Sequence, residues 1–308
     1  MDIRKAISAL PRGVRVAATV LVVGLSFLYL GNNIARGLHQ VDLAELRPQP
    51  IPVVFSLLLY TISSVIGGWC WSLILDGLGQ KLPLRMNVKI HLSANIVKYL
   101  PGYTWQILGK AYLCGRQGLS IWPVGVGIAL EFACVILTGL WVAILALPGA
   151  WLEAWGMGTL SPWRVPGVAI LTAVLIALPW LLHHGLHRLA AGRVHARSIV
   201  IHRQPLWLVL VLMLVAWFVL GLSFYTLASA VCALSLVDLP ALTFAWAASS
   251  ILSLAVVFVP MGIGVKEGAL AFLLGFRVPI VVATVIAVLA RVISVVSEAL
   301  CFLLAQKL

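Results

Sequence analysis

Long runs of apolar residues recur along this chain, and they restrict its fold more than any other feature does. A membrane-spanning helix needs about 20 residues that are predominantly apolar. Such runs lie at 14–31, 51–75, 121–148, 165–182, 206–232 and 279–305. Hydrophobic residues make up 62% of the chain and charged residues 10%, which excludes an ordinary soluble domain. We therefore predict an all-α polytopic membrane protein with about six transmembrane helices, forming a single integral membrane domain over residues 1–308.

Two further apolar segments, 86–116 and 239–277, are each interrupted by a Pro-Gly break. The residues that make these breaks are Pro101 and Gly102, and Pro260, Gly262 and Gly264. Proline ends a helix, and broken backbone at membrane depth is stable only where protein or a water-filled cavity satisfies its polar groups. We predict that both segments are re-entrant helical hairpins. For the second segment an ordinary span remains open, because 240–259 is long enough to cross at ~1.5 Å per residue.

Basic residues determine the predicted orientation, because lysine and arginine collect on the cytoplasmic side of a membrane. Most of the 21 lysines and arginines lie before the first span, in or beside the 86–116 hairpin, in the segment 183–205, or at the end of the chain. We therefore predict that both termini are cytoplasmic and that 183–205 is a basic cytoplasmic loop. This distribution also explains the pI of about 10 without nucleic-acid binding.

With this orientation the first hairpin enters from the cytoplasm and the second from the outside. The halves 1–150 and 165–308 then have inverted topologies. The spacing agrees, because Glu131 and Arg291 follow the prolines of the two breaks by 30 and 31 residues and both fall in the middle of the next span. Inverted repeats with a binding site near the bilayer midplane recur among transporters. We therefore predict an inverted-repeat architecture.

Ionisable residues in the apolar segments gather around the two breaks. They are Lys98, Lys110, Glu131, Lys266, Glu267, Arg291 and Glu298. The helix that follows each break directs its N-terminus inward, and the partial positive charge there suits an anion. We predict that these side chains and the residues of the breaks bind an anionic headgroup. An arginine at the centre of a span costs about 3 kcal/mol to insert, so we expect a carboxylate partner for Arg291, with Glu131 first and Glu298 second.

Structural roles are the alternatives for these residues. Glu267 in the first turn of a half-helix would complement the dipole of that helix. Arg291 and Glu131 would lock two helices as an ion pair, while Lys98 and Lys110 would extend toward cytoplasmic headgroups. Five cysteines without a CxxC pattern, and histidines without accompanying acidic ligands, predict neither a metal site nor a disulfide framework. We expect no cofactor.

The segment Pro260 to Glu267, with Arg291 and Ser294 in the next span, resembles the C-terminal signature of the lysylphosphatidylglycerol synthase transmembrane-region family. The earlier motif of that family is similar to the residues Asn95, Pro101, Gly109 and Lys110. Members include the flippase half of multiple-peptide-resistance factors, which moves aminoacylated phosphatidylglycerol outward, and stand-alone relatives linked to glycolipid or polyprenyl-lipid pathways. The resemblance implies a non-enzymatic lipid flippase or scramblase in a prokaryotic cytoplasmic membrane, with a membrane lipid as substrate.

Because no aminoacyl-transferase sequence follows Leu308, we expect a separate enzyme to modify the lipid; the sequence leaves a homo-oligomer open. Two other functional classes also remain open. The first is a membrane-embedded transferase that acts on a lipid-linked sugar or phosphate with Glu131 or Glu267 as general base, although no second substrate or metal motif accompanies them. The second is a proton-coupled carrier of small solutes that uses Glu131 and Glu298.

Overall fold

The computed structural model describes residues 48–99, 105–154, 156–190, 203–256 and 264–307. Across these ranges the chain forms α-helices and short 3₁₀ turns, without a β-strand. The helices are α1 Pro50–Gly77, α2 Leu84–Ile96, α3 Trp105–Arg116, α4 Ile121–Ala146, α5 Gly149–Ala154, α6 Arg164–Ala190, α7 Arg203–Ser229, α8 Leu239–Ala255, α9 Val265–Leu274 and α10 Ile280–Ala305. The predicted span 14–31 and the break residues Pro101, Gly102, Pro260 and Gly262 lie outside the described residues.

Six helical segments in the described part of the chain are long and apolar enough to cross a membrane. They are Pro50–Gly77, Ile121–Ala146, Gly158–Leu182, Gln204–Ser229, Leu236–Ala255 and Ile280–Ala305. The prediction of an all-α multi-pass membrane protein is confirmed, and each predicted span within the described ranges coincides with one of these segments. Leu236–Ala255 contains α8, the first arm of the predicted second hairpin, and has a mean hydropathy of 1.4, the lowest of the six. Helix α8 is therefore also a candidate for the ordinary span that the sequence left open.

Helix α1 illustrates how these helices are arranged, with large apolar side chains outside and small polar ones inside. Ile51, Phe55 and Leu58 follow one face of the helix and are more than half exposed. Ser56 is buried on the face that packs along α7, where its hydroxyl lies 3.1 Å from that of Ser223. Ser223 in turn donates to the main-chain oxygen of Ser56 at 2.8 Å. Small residues let membrane helices approach closely, while the exposed apolar face suits lipid.

Two pairs of shorter helices pack among the long ones. Helices α2 and α3 contain 13 and 12 residues, so each extends about 20 Å and is too short to cross the membrane. They contact each other, and in the sequence one precedes and the other follows residues 100–104. Helices α8 and α9 also pack together, and an ion pair joins Asp238, just before α8, to Arg277, just after α9. The two ends of the 239–277 segment are therefore adjacent in space.

Close packing between α7 and α8 depends on Gly221. A Cβ atom added there would lie 2.4 Å from the hydroxyl oxygen of Thr243, which is buried and donates a hydrogen bond to the main-chain oxygen of Leu239. We expect Gly221→Ala to lower the free energy of unfolding by about 1–3 kcal/mol, because the overpacked helices must separate. Denaturant unfolding of the protein in detergent micelles measures this change.

The matched control is Gly125→Ala in α4, where an added Cβ meets nothing within 4 Å. Alanine is the better helix former, so this variant should be unchanged or more stable by up to about 1 kcal/mol. If both variants unfolded at the same denaturant concentration, the close approach of α7 and α8 would be contradicted.

Candidate functional site

A cavity of about 340 Å³ lies among the helices, with walls contributed by α1, α2, α3, α4, α7, α8, α9 and α10. Its lining includes five of the residues that the sequence predicts for the site, namely Lys98, Glu131, Lys266, Arg291 and Glu298. Two more contact this lining, because Lys110 pairs with Glu131 and Glu267 pairs with Arg291. Gly264 begins α9 beside them. The structure thus brings together all of the predicted site residues that it describes.

Lys110 and Glu131 form the most deeply buried ion pair of the site. The ammonium Nζ of Lys110 donates to Oε2 of Glu131 at 2.6 Å, and the side chain of Lys110 is 2% exposed. The same ammonium lies 4.1 Å from the centre of the Trp71 ring, where the π electrons add attraction. Oε1 of Glu131 lies 3.2 Å from Nδ1 of His91. One carboxylate therefore connects α4 with both α2 and α3.

A line of hydrogen bonds continues from His91 to the start of α3. Nε2 of His91 lies 3.1 Å from the amide nitrogen Nδ2 of Asn95. The amide of Gln106 donates from Nε2 to Oδ1 of Asn95 at 2.7 Å. All three side chains line the cavity. The residues His91, Asn95 and Gln106 are called the polar relay below.

Glu298 of α10 closes another side of the cavity. Its Oε1 accepts hydrogen bonds from Nζ of Lys98 at 2.5 Å and from the hydroxyl of Tyr60 at 3.3 Å. Its Oε2 is buried and has no hydrogen-bond partner among the described residues. A buried carboxylate oxygen without a partner is unfavourable, so this side of the cavity keeps an unused acceptor.

Glu267 lies in the first turn of α9, where it caps the N-terminus of the helix. Gly264 has a φ of +81°, a conformation that glycine adopts without strain, and its N–H donates to Oε2 of Glu267 at 2.7 Å. Oε1 of the same carboxylate lies 3.6 Å from Nε of Arg291. Glu267 therefore acts both as a capping group and as the partner of a cation.

The ion pair of Arg291 corrects one expectation. The sequence favoured Glu131 or Glu298 as its partner, whereas the structure pairs Arg291 with Glu267. Packing explains the difference, because α9 folds back along α10 and brings Glu267 to it. Glu131 and Glu298 are instead bound by Lys110 and Lys98 of the 86–116 segment.

Lys266 is the cation of this site that has no carboxylate partner within the described part of the chain. Its Nζ lies 3.5 Å from the centre of the Trp246 ring. A cation over the face of tryptophan is attracted by the ring, and the ring does not neutralise it. Lys266 lines the cavity and therefore offers its charge to a ligand.

Counting the charges gives the electrostatic character of the site. Around the cavity the described residues place four cationic side chains, Lys98, Lys110, Lys266 and Arg291, against three carboxylates, Glu131, Glu267 and Glu298. With all seven side chains ionised, one positive charge is in excess. Charge is poorly screened in a low-dielectric interior, so the excess favours an anionic ligand.

Sequence reasoning missed several polar and aromatic residues of the site, among them His91, Gln106, Tyr60, Trp246 and Ser250. One signal was available for His91. Asn87, His91 and Asn95 recur every four residues, which places them on one face of α2. No sequence signal indicates that Trp246 contacts Lys266, since this contact depends on how α8 packs against α9.

Comparison with protein-family models finds none that matches the chain, and comparison with curated proteins finds no match either.

Removing the negative charge of Glu131 tests the central ion pair. Glu131→Gln leaves the buried ammonium of Lys110 without a counterion, so we expect the free energy of unfolding to fall by about 3–5 kcal/mol. Denaturant unfolding in detergent measures the loss. Glu153→Gln is the matched control, because Glu153 is exposed and its change should stay within about 0.5 kcal/mol.

A double variant separates loss of charge balance from loss of packing. Lys110→Met combined with Glu131→Gln removes both charges, and uncharged replacement of both partners is often close to neutral. We expect it to be more stable than Glu131→Gln alone. A double variant less stable than either single variant would show that the pair does not offset buried charge.

Proposed function

We propose that this protein moves an anionic lipid headgroup across a prokaryotic cytoplasmic membrane, as a flippase or scramblase. The excess positive charge of the cavity carries the proposal. Lys266, when protonated, attracts the anion because no carboxylate of the described residues forms an ion pair with it, and Arg291 adds a nearby cation whose contact with Glu267 is 3.6 Å long. Such a loose contact can rearrange to admit a phosphate oxygen more easily than the 2.6 Å pair of Lys110 and Glu131 can.

The size of the cavity favours a headgroup over a whole lipid. Its volume of about 340 Å³ is at the low end of the range of about 300–1,000 Å³ for small-ligand pockets. A phosphorylated polar group fits such a volume, while acyl or prenyl chains do not. The chains would remain in the bilayer, against outward apolar faces such as that of α1. The proposal thus needs a polar path for the headgroup alone.

As part of the proposal, the segments 86–116 and 239–277 are re-entrant hairpins that enter the membrane from opposite sides. The short lengths of α2 and α3, and their mutual contact, support the first hairpin. The Asp238–Arg277 ion pair supports the second, because both ends of a re-entrant segment must lie on one side of the membrane. Cytoplasmic termini and the inverted repeat are part of the same proposal, and alternating opening to the two leaflets would follow from it.

Membership of the lysylphosphatidylglycerol synthase transmembrane-region family is likewise a proposal, supported by the motif from Pro260 to Glu267 and by Arg291. The structure gives two of these residues a defined relation, since Glu267 binds Arg291 while capping α9. A transferase mechanism has less support. Glu131 and Glu267 each have both carboxylate oxygens engaged, so neither is poised as a general base.

Headgroup movement in reconstituted liposomes tests the proposal, with fluorescent anionic and zwitterionic lipids compared in the same preparation. We expect the wild-type protein to move a subset of anionic lipids. Lys266→Met should lower that rate at least about tenfold, the effect of losing one charge-assisted contact worth about 1.5–3 kcal/mol. Arg291→Ala should lower it as well.

The matched control is Lys81→Ala, because Lys81 is exposed in the loop before α2 and outside the cavity. It should transport at the wild-type rate. If Lys266→Met and Arg291→Ala both folded and transported normally, the anion site would be wrong. If the wild-type protein moved no lipid, the flippase proposal itself would fail.

Labelling of single cysteines tests the second hairpin. In a variant without native cysteines, Val237→Cys and Phe276→Cys lie at the two ends of the segment, at positions that are 83% and 39% exposed. A hairpin predicts that a membrane-impermeant thiol reagent modifies both from the same side. Modification from opposite sides would instead assign α8 as a full span.

A further inference from the structure

His91 is a titratable side chain in the wall of the cavity that anion binding does not itself require. It is 8% exposed, and both of its ring nitrogens have polar neighbours. Nδ1 faces Oε1 of Glu131 at 3.2 Å, and Nε2 faces Nδ2 of Asn95 at 3.1 Å. Histidine in such a position can take up a proton and change the charge of the site.

The orientation of the polar relay fits one tautomer of the neutral His91 ring. Gln106 donates to Oδ1 of Asn95, so the amide nitrogen of Asn95 is the group turned toward His91. An amide nitrogen only donates, and Nε2 must therefore accept. In the tautomer that fits this orientation, Nδ1 carries the proton of the neutral ring and faces Oε1 of Glu131. Nζ of Lys110 lies 3.1 Å from the same Nδ1 and has three protons, so in the other tautomer Nδ1 accepts a hydrogen bond from Lys110.

Adding one proton to the tautomer with the proton on Nδ1 reverses this arrangement. The new proton binds the lone pair of Nε2, and the imidazolium then has two donors and no acceptor. Asn95 must turn its amide to present Oδ1, which takes that oxygen away from Gln106. Gln106 must turn in the same way to present its own oxygen. A single proton at His91 is thus transmitted to the first turn of α3.

Nearby ionisable groups determine how this proton affects the cavity. Those whose charges act on His91 are Lys110, Glu131 and Lys98. The thiols of Cys70, Cys114 and Cys134 surround Glu131, and Glu298 and Arg291 line the cavity from α10. Glu131 already faces Lys110, so a protonated His91 adds a positive charge that no further carboxylate of this group balances. The excess charge of the cavity rises from one to two.

Gly67 of α1 leaves room for the ring at this position. An added Cβ there would lie 2.9 Å from Nε2 of His91 and 3.4 Å from Cε1, closer than the ring can accept. Gly67 lines the same cavity. Nε2 of His91 therefore lies close to the backbone of α1 at Gly67, which has no side chain.

We propose that His91 is a proton-binding site that couples headgroup movement to the proton gradient, with the proton and the anionic headgroup carried in the same direction. This inference rests on the proposed function, since the anion is the lipid headgroup. Linkage is reciprocal: a proton that raises the positive charge of the cavity strengthens anion binding, and a bound anion strengthens proton binding by the same factor. The loaded form is therefore the one that holds both.

The experiment is the steady-state distribution of a fluorescent anionic lipid between the leaflets of liposomes, with a gradient of one pH unit and the membrane potential clamped at zero. Headgroup movement without a gradient is measured first, which tests the proposed function separately. If one proton accompanies each headgroup, the gradient drives an enrichment of about tenfold in the leaflet on the alkaline side. A scramblase without coupling gives equal amounts in both leaflets.

His91→Gln removes the titratable ring and keeps an amide that can bond to Asn95. We expect it to move the lipid but to reach equal distribution despite the gradient. Gly67→Ala keeps the histidine but displaces its ring, and we expect a smaller enrichment than in the wild type. His184→Gln is the matched control, because His184 stacks on Trp180 in α6 outside the cavity, and it should keep the full enrichment.

Each outcome decides the question. Enrichment that is lost in His91→Gln and kept in His184→Gln supports coupling through His91. Full enrichment in His91→Gln overturns it. Equal distribution with the wild-type protein also overturns it, but does not contradict lipid movement itself. If His91→Gln does not fold, full enrichment in Gly67→Ala overturns the proposal and reduced enrichment supports it. Absence of movement without a gradient removes the proposed function and this inference with it.

Discussion

Burial of the Lys110 ammonium is the constraint on which the rest of the site depends. The side chain is 2% exposed, and an unpaired charge in such a place is highly unfavourable. Glu131 must therefore remain at 2.6 Å, which holds the short helix α3 against the long helix α4. The second oxygen of Glu131 faces His91 and so holds α2 as well. One carboxylate therefore contacts both helices of the 86–116 segment.

The other ion pairs repeat this arrangement. Lys98, in the turn after α2, binds Glu298 of α10. Glu267 of α9 binds Arg291, which also lies on α10. In each case a residue of a short segment binds a residue of a long one. A short helix has fewer apolar residues to bury than a long one, so buried polar contacts add to the packing that holds it. The cavity is the space that these contacts enclose, which explains why its walls are charged.

The location of the site could be predicted from the sequence because charge is expensive in lipid. Ionisable residues are few in the apolar segments, and each one needs either a partner or a polar cavity. Lys98, Glu131, Lys266, Arg291 and Glu298 accordingly meet around one cavity. The pairing could not be predicted in the same way. Which carboxylate reaches Arg291 depends on the rotation and depth of α9 against α10, and sequence spacing contains no measure of either.

The sequence by itself determined the class of the protein and the approximate positions of the long helices that the structure describes, because apolar length reports directly on the thickness of the bilayer. Only the tertiary structure decided that Lys266 lies over Trp246 without a carboxylate, and that His91 connects Glu131 to Gln106. These relations join residues of different helices. Their energies depend on distances of a few ångströms across the bundle, which hydropathy and spacing along one chain do not encode.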